Sequence, residues 1–218
     1  MKKLTLLIVA SVGVIGLLGL YSMANSSVAN AVSTANSKLS QTINPGTLTT
    51  VITDTPGLTP VNPPTFAMSA VTVKGTAQLS TGTFGNNTDR IYVLNTGAAD
   101  NGWTLTLNAT TPGTGVWGAA GGRQYKYNGT AAQGRLTVDP SAGTVTPESG
   151  SSTTLTGITK GSSASFSGST PITLMSASAG ADKIWEGYIT GIGLKQDIPA
   201  GQLSGTYILP MTQTVTAI

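Results

Sequence analysis

Gly102-Trp103-Thr104-Leu105-Thr106-Leu107-Asn108-Ala109-Thr110 is the stretch whose reading decides the fold class. Large apolar residues (Trp103, Leu105, Leu107) alternate with small polar ones (Thr104, Thr106, Asn108), the period-2 pattern of a strand with one buried and one wet face. On a helical wheel the three apolar side chains scatter, whereas on a pleated strand they form one row. Burying that row contributes roughly 1.5–3 kcal/mol per side chain. Trp103 and Leu105 are therefore expected at the centre of the core.

Working outward, Arg90-Ile91-Tyr92-Val93-Leu94 is apolar on both faces, as in a strand covered from both sides. The loop Asn95–Gly102, rich in Gly, Asn and Asp, is expected to join it to the Trp103 strand as an antiparallel pair. Further upstream, Phe66–Met68 and Val71–Val73 show strand character, with turns expected at Lys74-Gly75 and Thr81-Gly82. Thr55–Pro64 holds four prolines and reads as a crossing loop. Before it, Thr47–Thr53 is β-branched almost throughout and follows the turn signal Asn44-Pro45-Gly46, which makes it the first strand.

Downstream, Leu136–Val138 is a short strand closed by Asp139-Pro140. Gly143–Ser169 is a Ser/Thr/Gly-rich surface excursion with short edge strands, anchored by Leu155, Ile158 and Phe166. Ile172–Leu174 resumes the strand pattern. Lys183–Leu194 carries Gly187, Gly191 and Gly193 among large apolar residues, the mark of a bent or bulged strand. The last alternating row runs from Tyr207 to Ala217, and Pro210 within it favours a sheet edge. Short strands separated by turn signals predict one all-β domain over residues 42–218, an antiparallel β-sandwich of jelly-roll or Ig-like type.

The beginning of the chain reads differently. Lys2-Lys3 precedes the apolar run Leu4–Leu20, and Ala29-Asn30-Ala31 supplies a small-x-small pattern, so residues 1–31 read as a secretory signal helix. Cleavage is expected before Val32, with 32–41 as a flexible lead-in and contact with the membrane only through the leader. The roughly 187 residues that follow suffice for a core without disulfides. The expected location is therefore extracellular, secreted or at the cell surface.

Composition narrows the function. Of 218 residues 9% are charged and none is Cys or His, so the commonest general base and metal ligand is missing. Of the net charge of +3, two units come from Lys2 and Lys3. The basic pI near 9.2 thus belongs largely to the leader and gives little support to nucleic-acid binding. Asp89, Asp100, Asp139, Glu148, Asp182, Glu186 and Asp197 are the acidic candidates for hydrolysis. Most sit beside Gly, Pro or Asn, where carboxylates serve turns, and Asp89 beside Arg90 reads as a strand-end ion pair. Neither catalytic nor metal-ligating residues are assigned and no cofactor is expected.

Two stretches remain as candidates for binding. Trp117, Arg123, Tyr125 and Tyr127 lie in a Gly-rich region and suit a glycan-stacking or partner surface, since aromatic faces stack on sugars and cations. The competing reading is that these rings seal the end of the sandwich. Thr47, Leu48 and Val51 lie on the first strand, next to a flexible lead-in, where a chain can lend a strand to a neighbour's open edge.

Asp89-Arg90, Asn101-Gly102-Trp103-Thr104-Leu105-Thr106-Leu107 and Ile198-Pro199-Ala200-Gly201 through Gly205-Thr206-Tyr207 together resemble the WxL domain of bacterial surface proteins. Trp103-Thr104-Leu105 matches the first Trp-x-Leu of that family, while Gln213-Thr214-Val215 stands where the second would be. The resemblance implies a β-rich, secreted, non-enzymatic protein held on a cell-wall polymer or other surface proteins. A weaker similarity, carried by the leader and Ile43-Asn44-Pro45-Gly46-Thr47-Leu48, is to camelysin-like subunits of biofilm fibres. It implies a jelly roll that self-assembles by passing an N-terminal strand to a neighbour.

Overall fold

The computed structural model describes residues 36–54, 59–61, 63–148 and 154–218. The chain separates into two units, residues 1–43 and 44–218. The expected signal helix and its cleavage site lie outside the described residues. Residues 36–43 are exposed and carry no secondary structure.

The second unit is built almost wholly of strands: β1 (Leu48–Thr53), β2 (Gln78–Phe84), β3 (Arg90–Thr96), β4 (Trp103–Ala109), β5 (Val116–Ala119), β6 (Gln124–Lys126), β7 (Arg135–Asp139), β8 (Thr144–Pro147), β9 (Ile158–Lys160), β10 (Ala164–Ser165), β11 (Ile172–Ala177), β12 (Ile184–Thr190), β13 (Ile192–Ile198), β14 (Tyr207–Ile208) and β15 (Met211–Ala217). They form four sheets, ordered β1-β3-β12-β8, β10-β7-β13-β2, β15-β4-β11-β9 and β14-β5-β6. Every pairing between them is antiparallel.

β4 behaves as its alternation requires. Trp103 and Leu105 are fully buried and Leu107 almost so, while Thr104, Thr106 and Asn108 turn toward the wet side. Gly102 makes the entry into the strand possible: its φ is +109°, and a Cβ there would lie 2.3 Å from the Ala177 carbonyl oxygen. Across the core, Trp103 meets Trp185 of β12 with ring centroids 5.5 Å apart. The apolar interior thus lies between the β15-β4-β11-β9 sheet and the β1-β3-β12-β8 sheet, which is the sandwich arrangement.

Three local expectations are corrected. β3 and β4 are not a hairpin pair: β3 lies between β1 and β12, and β4 between β15 and β11. The connection between them is a corner held by the buried side chain of Asn95, whose Oδ1 accepts from the amides of Ala98 and Ala99 at 3.1 Å each. Its Nδ2 donates to the Lys183 carbonyl at 2.9 Å. A buried amide satisfied on both ends fixes the chain's crossing between layers, which a hairpin reading of the loop missed.

Thr81-Gly82 is not a turn either, for β2 runs straight through it. Gly82 pairs with Leu194 of β13 and bridges Met68 on its other side. A Cβ at Gly82 would come within 3.2 Å of the Ala67 carbonyl oxygen and the Met68 Cα, so the glycine serves close backbone approach. Phe66–Met68 and Val71–Val73 form no strands; Phe66 instead packs edge-on against Phe84 at 4.7 Å.

The bent strand is present. β12 and β13 are one run broken at Gly191, whose φ is +71° and whose amide donates to the Gly85 carbonyl at 2.9 Å. That bend gives the two sheets containing β12 and β13 a shared spine. The excursion after β7 contains β8, β9 and β10, with Phe166 2% exposed as its deepest anchor. Leu155, by contrast, is exposed. β15 is an edge strand with Pro210 just before it, as the missing proline donor requires.

Candidate functional site

The small β14-β5-β6 sheet carries most of the proposed aromatic surface. Antiparallel pairing places Trp117 opposite Tyr125, and their rings stack with centroids 6.1 Å apart and planes 13° from parallel. Tyr207 of β14 meets Tyr125 edge-on at 5.0 Å. The result is a three-ring surface, half-buried at each ring.

Trp117 and Tyr207 are fixed from their polar ends, and Tyr125 is held between them by its ring contacts. Trp117 Nε1 donates to Gln196 Oε1 at 2.8 Å, and Gln196, 1% exposed, is itself held by donation to the Asp197 carbonyl at 2.7 Å. The Tyr207 hydroxyl donates to the Leu203 carbonyl at 2.8 Å and accepts from Gln202 Nε2 at 2.6 Å. Arg123, exposed, donates through Nη1 to the Ser204 carbonyl, tying the loop after β5 to the loop before β14. Burial raises the Tyr125 hydroxyl, with the neighbouring Tyr207 adding to it, from the ordinary 10.0 to about 12.

Three glycines of this region have open space where a side chain would stand. Cβ atoms added at Gly118, Gly121 or Gly122 would meet nothing within 4 Å. Those glycines serve no close packing inside this chain, though Gly121 and Gly122 have φ of +76° and +72° and so also make the turn. Gly118 follows Trp117 on β5, so its bare Cβ position lies on the opposite face of the small sheet from the ring.

Tyr127 does not belong to this surface, which corrects the sequence reading. It is fully buried, lies edge-on to Phe166 at 5.4 Å and donates its hydroxyl to the Pro112 carbonyl at 3.3 Å; burial raises its pKa. β6 ends at Lys126, and beyond it the chain turns into the core. Tyr207, Gln196 and Gln202 are members the sequence reading left out. The alternation predicts Tyr207 in the final row with Met211 and Val215, but the break at Leu209-Pro210 lets it pair with β5 instead of β4.

Asp197, Asp139, Asp89 and Glu186 each have a partner of their own. Asp197 forms an ion pair with Arg135 at 3.0 Å, and Asp139 caps the turn Pro140–Ala142 by accepting from the Ser141 amide. Asp89 does not pair with Arg90: its Oδ2 accepts from Asn86 Nδ2 at 2.9 Å, while the Arg90 guanidinium lies over the Tyr188 ring, 4.7 Å from its centroid. The Tyr92 hydroxyl donates to Glu186 Oε2 at 3.1 Å. Burial, that hydrogen bond and the charges of Glu186 and Glu148 all raise the Tyr92 pKa.

The strand proposed for lending is in place within its own fold. β1 pairs with β3 along its whole length, Leu48 opposite Asn95 and Val51 opposite Tyr92. Leu48 packs against the core. Thr47 is tied to Thr96, whose amide donates to the Thr47 carbonyl at 2.9 Å. Gly46 lets the chain enter this strand, since a Cβ there would lie 1.9 Å from the Thr96 carbonyl oxygen. At the other sheet, Gln213 Nε2 of β15 donates to Thr50 Oγ1 of β1 at 2.7 Å. Ahead of β1, Leu39 is 101% and Ile43 85% exposed.

No family model, curated protein or solved structure matches this chain. Function is therefore argued from the surfaces themselves.

Proposed function

We propose that this chain is exported and works at the cell surface as a non-enzymatic binding or assembly module, engaging a cell-wall polymer or another surface protein. The observation that carries this reading is the Trp117–Tyr125–Tyr207 surface, three half-buried rings in mutual contact, with Trp117 and Tyr207 held by hydrogen bonds at their polar ends. Sugar rings present apolar C–H faces that stack on such a surface, and Arg123 at its border supplies hydrogen-bond donors. The likeness of Trp103-Thr104-Leu105 and the chain around it to WxL domains supports attachment to the wall. The test is co-sedimentation of the mature protein with purified cell walls. Retention of the native protein and its loss in Tyr125→Ala support the reading; equal sedimentation of the two excludes this surface.

A second reading, a self-assembling extracellular filament joined by N-terminal strand exchange, is favoured by Leu39 and Ile43. Two large apolar side chains fully exposed just ahead of a paired strand suit insertion into a neighbour. Because β1 is already paired at home, the segment ahead of it is the better donor. Removing Val32–Gly46 should abolish filaments seen by electron microscopy while leaving the melting transition intact. Filaments that persist in that truncation exclude exchange by this segment.

A further inference from the structure

Among the described residues three Asn-x-Thr triplets occur: Asn86-Asn87-Thr88, Asn108-Ala109-Thr110 and Asn128-Gly129-Thr130. Such triplets are the acceptor pattern for N-linked sugars on exported chains. In a chain this rich in Thr and Ser they also arise by composition, so the motif decides nothing alone. The geometry separates them.

Asn86 is exposed, in the connection between β2 and β3. Its Oδ1 accepts from the Thr88 amide at 2.7 Å, the Thr88 hydroxyl at 2.8 Å and the Asp89 amide at 2.8 Å. Its Nδ2 faces Asp89 Oδ2 at 2.9 Å. Three donors on Oδ1 draw negative charge onto that oxygen and make the Nδ2 protons more acidic. The hydroxyl of the triplet's own threonine is one of those donors. Once one proton is replaced by sugar, the nitrogen keeps another with which to hold Asp89.

The other two triplets lack this arrangement. Asn108 is half-buried on β4, with Nδ2 donating to the Ser169 carbonyl at 2.8 Å, and its Thr110 hydroxyl pairs with Thr212 at 2.9 Å. Asn128 is half-buried and donates through Nδ2 to the Gly168 carbonyl at 3.0 Å. Thr130 turns its amide and hydroxyl to Gln133 Oε1. In both, the acceptor asparagine is half-buried against the Ser167–Thr170 turn, and the triplet's threonine hydroxyl bonds to another residue in place of its asparagine.

We propose that Asn86 is an N-glycosylation acceptor and that Asn108 and Asn128 are not, an assignment that rests on the export reading above. The donor is a lipid phosphate-linked oligosaccharide used by a membrane transferase. Asn86 Nδ2 bonds to the anomeric carbon, the bond from that carbon to the phosphate oxygen breaks, the lipid phosphate leaves with the electron pair, and the proton lost from Nδ2 passes to solvent.

The experiment is peptide mass mapping of the full chain recovered from its native cells. Trypsin places each triplet in a separate peptide: Gly75–Arg90, Ile91–Arg123 and Tyr127–Arg135. A mass increment of whole sugar units on Gly75–Arg90 alone, lost in Thr88→Ala and kept in Thr88→Ser, is the expected result. Sugar on either of the other peptides, or an unmodified Gly75–Arg90, overturns the proposal. Labelling of intact cells with a lysine reagent that does not cross membranes keeps the two readings apart. A labelled but unmodified chain removes glycosylation and leaves export standing, whereas a chain both unlabelled and unmodified removes both.

Discussion

Trp103 and Trp117 are the same residue in two settings, and the difference shows how this chain divides stability from exposure. Trp103 is followed at two-residue steps by Leu105 and Leu107, so its whole row is apolar and faces the opposite sheet. Trp117 is followed by Gly118, Ala119 and a glycine turn, so its strand has no apolar row to continue. The first ring is fully enclosed and meets Trp185. The second keeps a face open and is steadied by one buried amide, that of Gln196. Neighbours at i+2 and i+4, more than the tryptophan itself, decide which role the ring takes.

The largest expected effect tests the buried member. Trp103→Ala removes a fully enclosed indole and should cost about 3–5 kcal/mol. In a domain of this size that corresponds to a fall in melting temperature of roughly 10 °C. Calorimetry checks it. An unchanged melting temperature would reverse the contrast with Trp117.

Next comes the open member. Trp117→Ala removes a half-buried ring that packs against the core and leaves the buried Gln196 Oε1 without its donor, the lost donor alone costing about 1–3 kcal/mol. Trp117→Phe keeps a ring and loses the same donor, so it should melt between the native protein and the alanine variant, and only the alanine loses most of the stacking surface. Paired melting and wall-sedimentation measurements separate the hydrogen bond from the ring.

The pattern of success in reading the sequence has the same origin. β4 and the bend at Gly191 were legible because each is a local statement: an alternation, or a glycine among large residues. The pairing of β3 with β1 and β12 was not, because a corner held by Asn95 and a hairpin loop have the same composition. Period 2 would also have placed Tyr125 and Tyr127 on one face. The chain leaves the sheet at Lys126, however, and the Tyr127 amide donates to the Gly115 carbonyl at 3.2 Å while its carbonyl accepts from Leu136 at 2.6 Å. That exchange of partners turns Tyr127 inward. Tyr207 was hidden by the opposite error, a row read as continuous across Pro210.

The smallest effect concerns the hydroxyl of Tyr125. Burial comes first and the neighbouring Tyr207 second in raising it from 10.0 to about 12. Because the folded value lies above the unfolded one, the unfolded chain loses this proton first as the solution becomes alkaline. The stabilising contribution is therefore complete below pH 10 and is lost as pH rises from 10 to about 12. Ultraviolet titration of phenolate should show Tyr125 ionising late, and Tyr207→Phe, which removes the second ionising hydroxyl, should bring it back only part of the way. Full return to the ordinary value in that variant would mean that charge, and not burial, governs Tyr125. The three-ring surface would then be wetter than its geometry implies, and the contrast with the sealed Trp103 sharper still.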